Sequence, residues 1–144
     1  MRKVALITIF LTLCFLLSGC FFHTDDDGHY EVLFVNKSGI NISYQLAFDK
    51  ISEIAMDTLF HCRKVVSYLD KDSKKVIESP SYKDPWEVSL GSNQYLEILV
   101  FDNETFREYS SSPCEVIRQN VPILRAYRLT LTDLGKANWV ITYY

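Results

Sequence analysis

The sequence predicts a mainly β chain folded as an antiparallel β-sandwich, two layers deep, with one or two short helical segments. Three observations carry that expectation. From Tyr30 onward, short runs rich in β-branched and aromatic residues alternate apolar with polar and are broken by turn formers. Hydrophobic residues make up 48% of the 144 and aromatics 14%, enough for one packed domain and too apolar for a disordered chain. Seven or eight such runs exceed what one sheet face can bury, so they divide between two packed sheets, as in transthyretin-like or immunoglobulin-like sandwiches.

The elements follow in order. "YEVLFVN" (30–36) runs into the turn signal "NKSG" (36–39) and then "INISYQLAF" (40–48). In the latter Ile40, Ile42, Tyr44 and Leu46 alternate with Asn41, Ser43 and Gln45, the period of a half-buried strand. These two runs are expected to form a hairpin. "DKISEIAMDTLFHCRK" (49–64) lacks a clear period and reads as loop with at most a helical turn. "KVVSYLD" and "KKVIES" are placed to pair across "KDS" (71–73). Proline cannot donate to a central ladder, so Pro80 and Pro85 make "SPSYKDP" (79–85) a loop. "WEVSL" (86–90), the turn "GSN" and "QYLEILVFD" (94–102) read as the clearest hairpin. The continuous run Ile98 to Phe101 marks a central strand covered on both faces.

"DNETFREY" and "SPCEVIRQN" read as short helical or irregular pieces. In the second, Ser112 is the expected N-cap, with Pro113 at the first helical position and Glu115 at N3. "LRAYRLTLT" is a strand and "TDLGKAN" a single helical turn capped by Thr132. "WVITYY" is the last strand, with Trp139 plugging the core. Nothing repeats and no linker divides the chain, so residues 30–144 form a single domain.

Ahead of that domain, Arg2 and Lys3 precede fourteen residues without a charge, "VALITIFLTLCFLL" (4–17), the basic and apolar regions of a secretory signal. The apolar stretch continues to Phe22, nineteen residues from Val4, close to the roughly 20 that span a bilayer. Length alone therefore leaves an uncleaved membrane anchor open. The order Leu17-Ser18-Gly19-Cys20 decides against it. It resembles a bacterial lipobox, in which the signal is cut before a cysteine whose sulfur and new amino group are acylated. This implies a signal peptide at 1–19, then lipidated Cys20 and an acidic tether to residue 29. The implied partner is a membrane, held through the lipid on Cys20, and the implied location is the cell envelope, at the outer membrane. Without the leader, 13 basic residues face 18 acidic ones. With no basic stripe, a nucleic-acid partner is excluded.

The blocks "YLEILVFDNETFREY" (95–109) and "ILRAYRLTLTDLGKANWVITYY" (123–144) resemble a family of small lipoproteins of gut-dwelling Gram-negative anaerobes. The family pattern is I-L-x-x-Y-D-L-T-L-E-D-L-x-x-x-N-W-x-I-x-Y-P. Here Ile123, Leu124, Tyr127, Leu129, Thr130, Leu131, Asp133, Leu134, Asn138, Trp139, Ile141 and Tyr143 fit it. Arg128 and Thr132 stand where acids are usual. The resemblance implies an envelope lipoprotein with a compact β-rich domain and no assigned activity.

Motifs of chemistry are sparse. Cys62 and Cys114 are a possible structural disulfide outside the cytoplasm, which spacing can neither establish nor refuse. A reactive thiol at His61-Cys62 is the sharper alternative, without a C-x-x-C. His23 and His29 fall in the tether, and "DDDG" (25–28) lacks the spacing of a calcium loop, so no metal or other cofactor is expected. No P-loop, nucleophile elbow or zincin motif occurs, and no catalytic residue is assigned. Trp86 is a possible aromatic contact for a glycan. The expected function is a non-enzymatic, lipid-anchored binding or assembly module for an unknown protein or glycan partner. A glycan-binding accessory protein using exposed aromatics and an envelope hydrolase or thiol enzyme stay open as alternatives.

Overall fold

The alternating runs form seven strands among the described residues, which are 28–50, 60–62, 65–81 and 83–144 of a computed structural model. They are β1 (Glu31–Asn36), β2 (Ile42–Lys50), β3 (Val66–Leu69), β4 (Lys74–Glu78), β5 (Gln94–Asp102), β6 (Ile123–Leu129) and β7 (Val140–Tyr143). Among the described residues four short helices join them: α1 (Trp86–Ser89), α2 (Asn103–Tyr109), α3 (Cys114–Asn120) and α4 (Leu131–Lys136). The fold is the expected β-sandwich, with more helical turns than the one or two the sequence suggested. One sheet has the order β4-β1-β7 and the other β3-β2-β5-β6. All pairings are antiparallel except β1 with β7.

None of the three expected hairpins forms. β1 and β2 lie in different sheets, as do β3 and β4. The reason lies in Asn36, which is fully buried. Its amide nitrogen donates to the carbonyls of Ile40 (2.8 Å) and Asp70 (3.0 Å), and its oxygen accepts from Ser38 N–H and Oγ. One side chain thus pins both turns where the chain crosses between sheets, and Gly39 supplies the left-handed step at φ +76°. Satisfying a buried amide this fully specifies the crossover over a flat hairpin.

"WEVSL" is helical. Trp86 and Leu90, four residues apart, are both fully buried, while Val88 between them is 65% exposed. That is the spacing of one helix face, although Trp86, Val88 and Leu90 also mimic strand alternation. Pro85 starts the turn and Leu90 N–H closes it on Trp86 O at 2.8 Å.

β5 is buried on both faces, as its apolar run requires. Leu96, Ile98 and Val100 enter the core between the sheets with Val32, Phe34, Ile42, Tyr44, Ile77 and Ile141. Leu99 and Phe101 point the other way, into a second core with Phe60, Ile117 and Val121. Helices α2 and α3 cover that outer face. The caps differ from expectation. Residue Pro113, without a side-chain bond, precedes α3 in place of Ser112. Thr130, and not Thr132, caps α4 in a reciprocal box with Asp133. Asp102 caps α2 by accepting from Thr105 N–H at 2.7 Å.

Candidate functional site

Cys20 and the acidic run 25–27 lie outside the described residues. Gly28 is held against the domain. A Cβ on Gly28 would collide with the Pro85 ring. His29, assigned to the tether by sequence, belongs to the domain. Its N–H donates to Glu87 Oε2 (3.0 Å), its ring Nδ1 is hydrogen-bonded to Glu87 Oε1 (2.7 Å), and its carbonyl accepts from Trp86 N–H (2.7 Å). The imidazole stacks on Trp139, with centroids 4.0 Å apart and planes 13° from parallel. Burial pushes the Glu87 carboxyl up, but the His29 hydrogen bonds outweigh it and hold it below the ordinary range. Trp139 is half-buried against the core and serves as the platform for His29. Asn138 and Trp139 adopt left-handed backbone, φ +50° and +60°, which is uncommon for a bulky side chain.

Cys62 and Cys114 are joined as a disulfide, with Cα atoms 5.7 Å apart and a separation of 52 positions in sequence. A loop of that length contributes about 4 kcal/mol in the chain-entropy account. Beside it, His61 is fixed at three points. Its N–H donates to Gln45 Oε1 (3.0 Å), its carbonyl accepts from Gln45 Nε2 (2.8 Å), and its ring Nε2 meets Glu97 Oε2 (2.8 Å). The other oxygen of Glu97 accepts from Arg128 Nε at 3.0 Å. The Glu97 side chain is only 4% exposed. A buried carboxylate held from both sides positions neighbouring chain, here the segment that delivers Cys62 to α3. Sequence reasoning missed this cluster. Its one signal is the charge inside the apolar run "YLEILVF", opposite Arg128 once the β5–β6 register is known.

Trp86, the candidate ligand contact, is fully buried between α1 and Phe48 and offers no ring face to a sugar. Its indole N–H has no hydrogen-bond partner among the described residues. Among the described residues no three His, Cys, Asp or Glu side chains converge as a metal site requires.

Two open grooves are the concave features of interest. The larger, about 540 Å³, lies between α3 and the start of β6, with Phe60, Val121 and Ile123 in its lining and Arg118 and Arg125 beside them. Both arginines are engaged: Arg118 donates to Phe60 O and Glu115, each at 3.2 Å, and Arg125 lies 5.5 Å over the Tyr127 ring. The second, about 390 Å³, opens between the two sheets beside β3 and β4. Tyr44, Leu46, Phe48 and Ile77 line it, with Ser67 and Lys75 among its polar residues. Comparison with family models, curated proteins and solved structures found no match.

Proposed function

We propose that this protein is a lipid-anchored component of the bacterial cell envelope, at the outer membrane, acting as a non-enzymatic binding or assembly module. The observation that carries the proposal is Leu17-Ser18-Gly19-Cys20 at the end of a charge-free run behind Arg2 and Lys3. The resemblance of residues 95–109 and 123–144 to small envelope lipoproteins agrees with it. So does the clamp on His29. Nine residue steps separate Cys20 from His29, a reach on the order of 30 Å when fully extended. The end of the sandwich bearing Glu87 and Trp139 then stays near the bilayer. The non-enzymatic part is supported by how the most reactive-looking groups are used. Cys62 is bonded to Cys114, and Glu97 has both oxygens occupied.

Two acyl chains give stable anchoring where one is marginal. The test is incorporation of a clickable palmitate in cells expressing the wild type or Cys20→Ala. The wild type takes up label and runs at processed size; Cys20→Ala remains an unlabelled precursor. Equal labelling and processing of the variant would contradict the proposal.

A further inference from the structure

We infer that the outer face of the β4-β1-β7 sheet pairs with the same face of a second copy of this chain, in a two-fold dimer at the membrane. This deepens the assembly-module reading and rests on it for the shared membrane, though not for the geometry of the face.

Helices α2 and α3 cover the outer side of β5, but among the described residues no core lies over the outer side of β1. Alternation turns Val32, Phe34 and Asn36 inward and leaves Glu31, Leu33, Val35 and, just past the strand, Lys37 outward. The register sets Val76 and Val140 on either side of Leu33, and Lys74 and Thr142 on either side of Val35. Leu33 and Val35 are half-buried, and Val76 and Val140 are 40% and 38% exposed. None of these four belongs to either core. An apolar stripe three strands wide therefore meets water, the kind of patch that marks an interaction site.

The charges around the stripe choose the occupant. Glu31 and Glu78 stand directly opposite each other on neighbouring strands, a like-charge arrangement that costs stability. With Tyr30 and Ser79 they line an open groove of about 290 Å³. Lys37 and Lys74 occupy the other end of the face, about 20 Å further along β1. All four charges are exposed and have no ion-pair partner among the described residues. The neighbouring charges do not alter this polarity. Near the acidic end, His29 is bonded to Glu87, and Lys136 acts on Asp133 of its own helix. The turn before Lys74 adds Lys71 and Asp72, one of each sign, and Asp70, whose carboxylate accepts from the Tyr68 hydroxyl.

The face is thus acidic at one end, apolar in the middle and basic at the other. A second copy turned about an axis across the strands sets its lysines over these carboxylates and its stripe over this one. An axis along the strands would set acid on acid. The tether's own acids cannot take the basic end, because Asp25 is three steps before Gly28, a reach of about 11 Å. With the two-fold axis along the membrane normal, both tethers leave at equal height and both lipids reach one bilayer. Three strands about 4.8 Å apart give a footprint of roughly 300 Å², well short of the roughly 800 Å² per partner of a stable complex. The pairing is therefore weak in solution and depends on confinement to one membrane.

Cross-linking of the full-length protein in membranes of expressing cells is the test. Under the anchoring proposal Cys20 is acylated, and Cys62 is bonded to Cys114, so Val76→Cys adds the one free thiol of the mature chain. A short bis-maleimide should join Val76→Cys to its own copy, whereas Leu124→Cys, exposed on β6, should stay monomeric. Reversing the acidic end (Glu31→Lys with Glu78→Lys) or the basic end (Lys37→Glu with Lys74→Glu) should cut the yield about tenfold, the scale of four exposed charge pairs lost together. Co-expressing the two reversed chains under different tags should restore the product as a mixed pair. Equal yields from Val76→Cys and Leu124→Cys, indifference to the reversals, no recovery on mixing, or a Val76→Cys product only with another protein would each overturn the inference. Palmitate labelling of Cys20 is read separately, so failure here leaves the anchoring proposal standing.

Discussion

The two lateral seams of the sandwich are built differently. Where β6 and β7 meet, the seam is stitched. Tyr127 OH donates to Thr142 O at 3.0 Å, and its ring packs edge-on against Phe34. Helix α4, with its Thr130–Asp133 capping box, carries the chain directly from one strand to the other. The Cys62–Cys114 bond pins α3, which leads into β6. Where β3 and β4 meet, the turn at Asp70–Ser73, held by the Asn36 amide, joins the sheets, and inward-facing Leu46 and Phe48 remain half-buried. The contrast separates rigidity from availability. One side is fastened by a disulfide, a hydrogen bond and a cap, and the other leaves apolar surface open.

The comparison can be broken by stability measurements, and the largest effect is expected at the disulfide. Replacing both Cys62 and Cys114 by serine should lower the unfolding free energy by about 4 kcal/mol in urea titration. No change would mean that the bond does not hold the closed side. Next, Tyr127→Ala should cost about 3 kcal/mol, against about 1 kcal/mol for Leu46→Ala on the open seam. Equal costs would erase the distinction between the seams.

Smaller effects sharpen it. Asp133→Ala should cost about 1 kcal/mol by removing half of the capping box. Hydrogen bonds from the Thr130 hydroxyl and backbone N–H hold the Asp133 carboxyl below its ordinary range. A carboxyl depressed in the folded state stabilises above the unfolded value, near pH 4, and loses that contribution as pH falls through its folded value. The gap between wild type and Asp133→Ala should therefore close as pH drops from about 6 to about 3. A gap that stays constant would mean that the cap does not act through ionised Asp133. Smallest of all, Lys75→Gln should leave stability within about 0.5 kcal/mol, because the site is exposed.

Much of this plan was legible in the residues, but not its connections. Alternation located β1, β2, β5 and β6, and the doubled apolar run of β5 announced a strand covered on both faces. Pairing was misread because "NKSG" and "KDS" have the composition of hairpin turns. What redirects them is Asn36, whose buried amide reaches Ile40 and Asp70 across 34 residues of sequence, beyond any local pattern. "WEVSL" reads as a strand of the clearest hairpin because three apolar residues at every second position suit one, but their first and third also suit one helix face, and the helix is what forms. The bonded Cys62 and Cys114 were visible as candidates, yet only the placement of α3 brings their Cα atoms within reach. Trp86 was read as a surface aromatic, whereas Pro85 and the α1 turn press it inside. The groove had no sequence signal, since it arises from β3 ending four residues into β2.

Amide hydrogen exchange of the full-length protein tests the central contrast most directly. Faster exchange is predicted at Leu46–Phe48 and Lys75–Ile77 than along β6 and β7. Equal exchange along both seams, or faster exchange at Tyr127 and Thr142, would contradict the claim that one side is fastened and the other is left open.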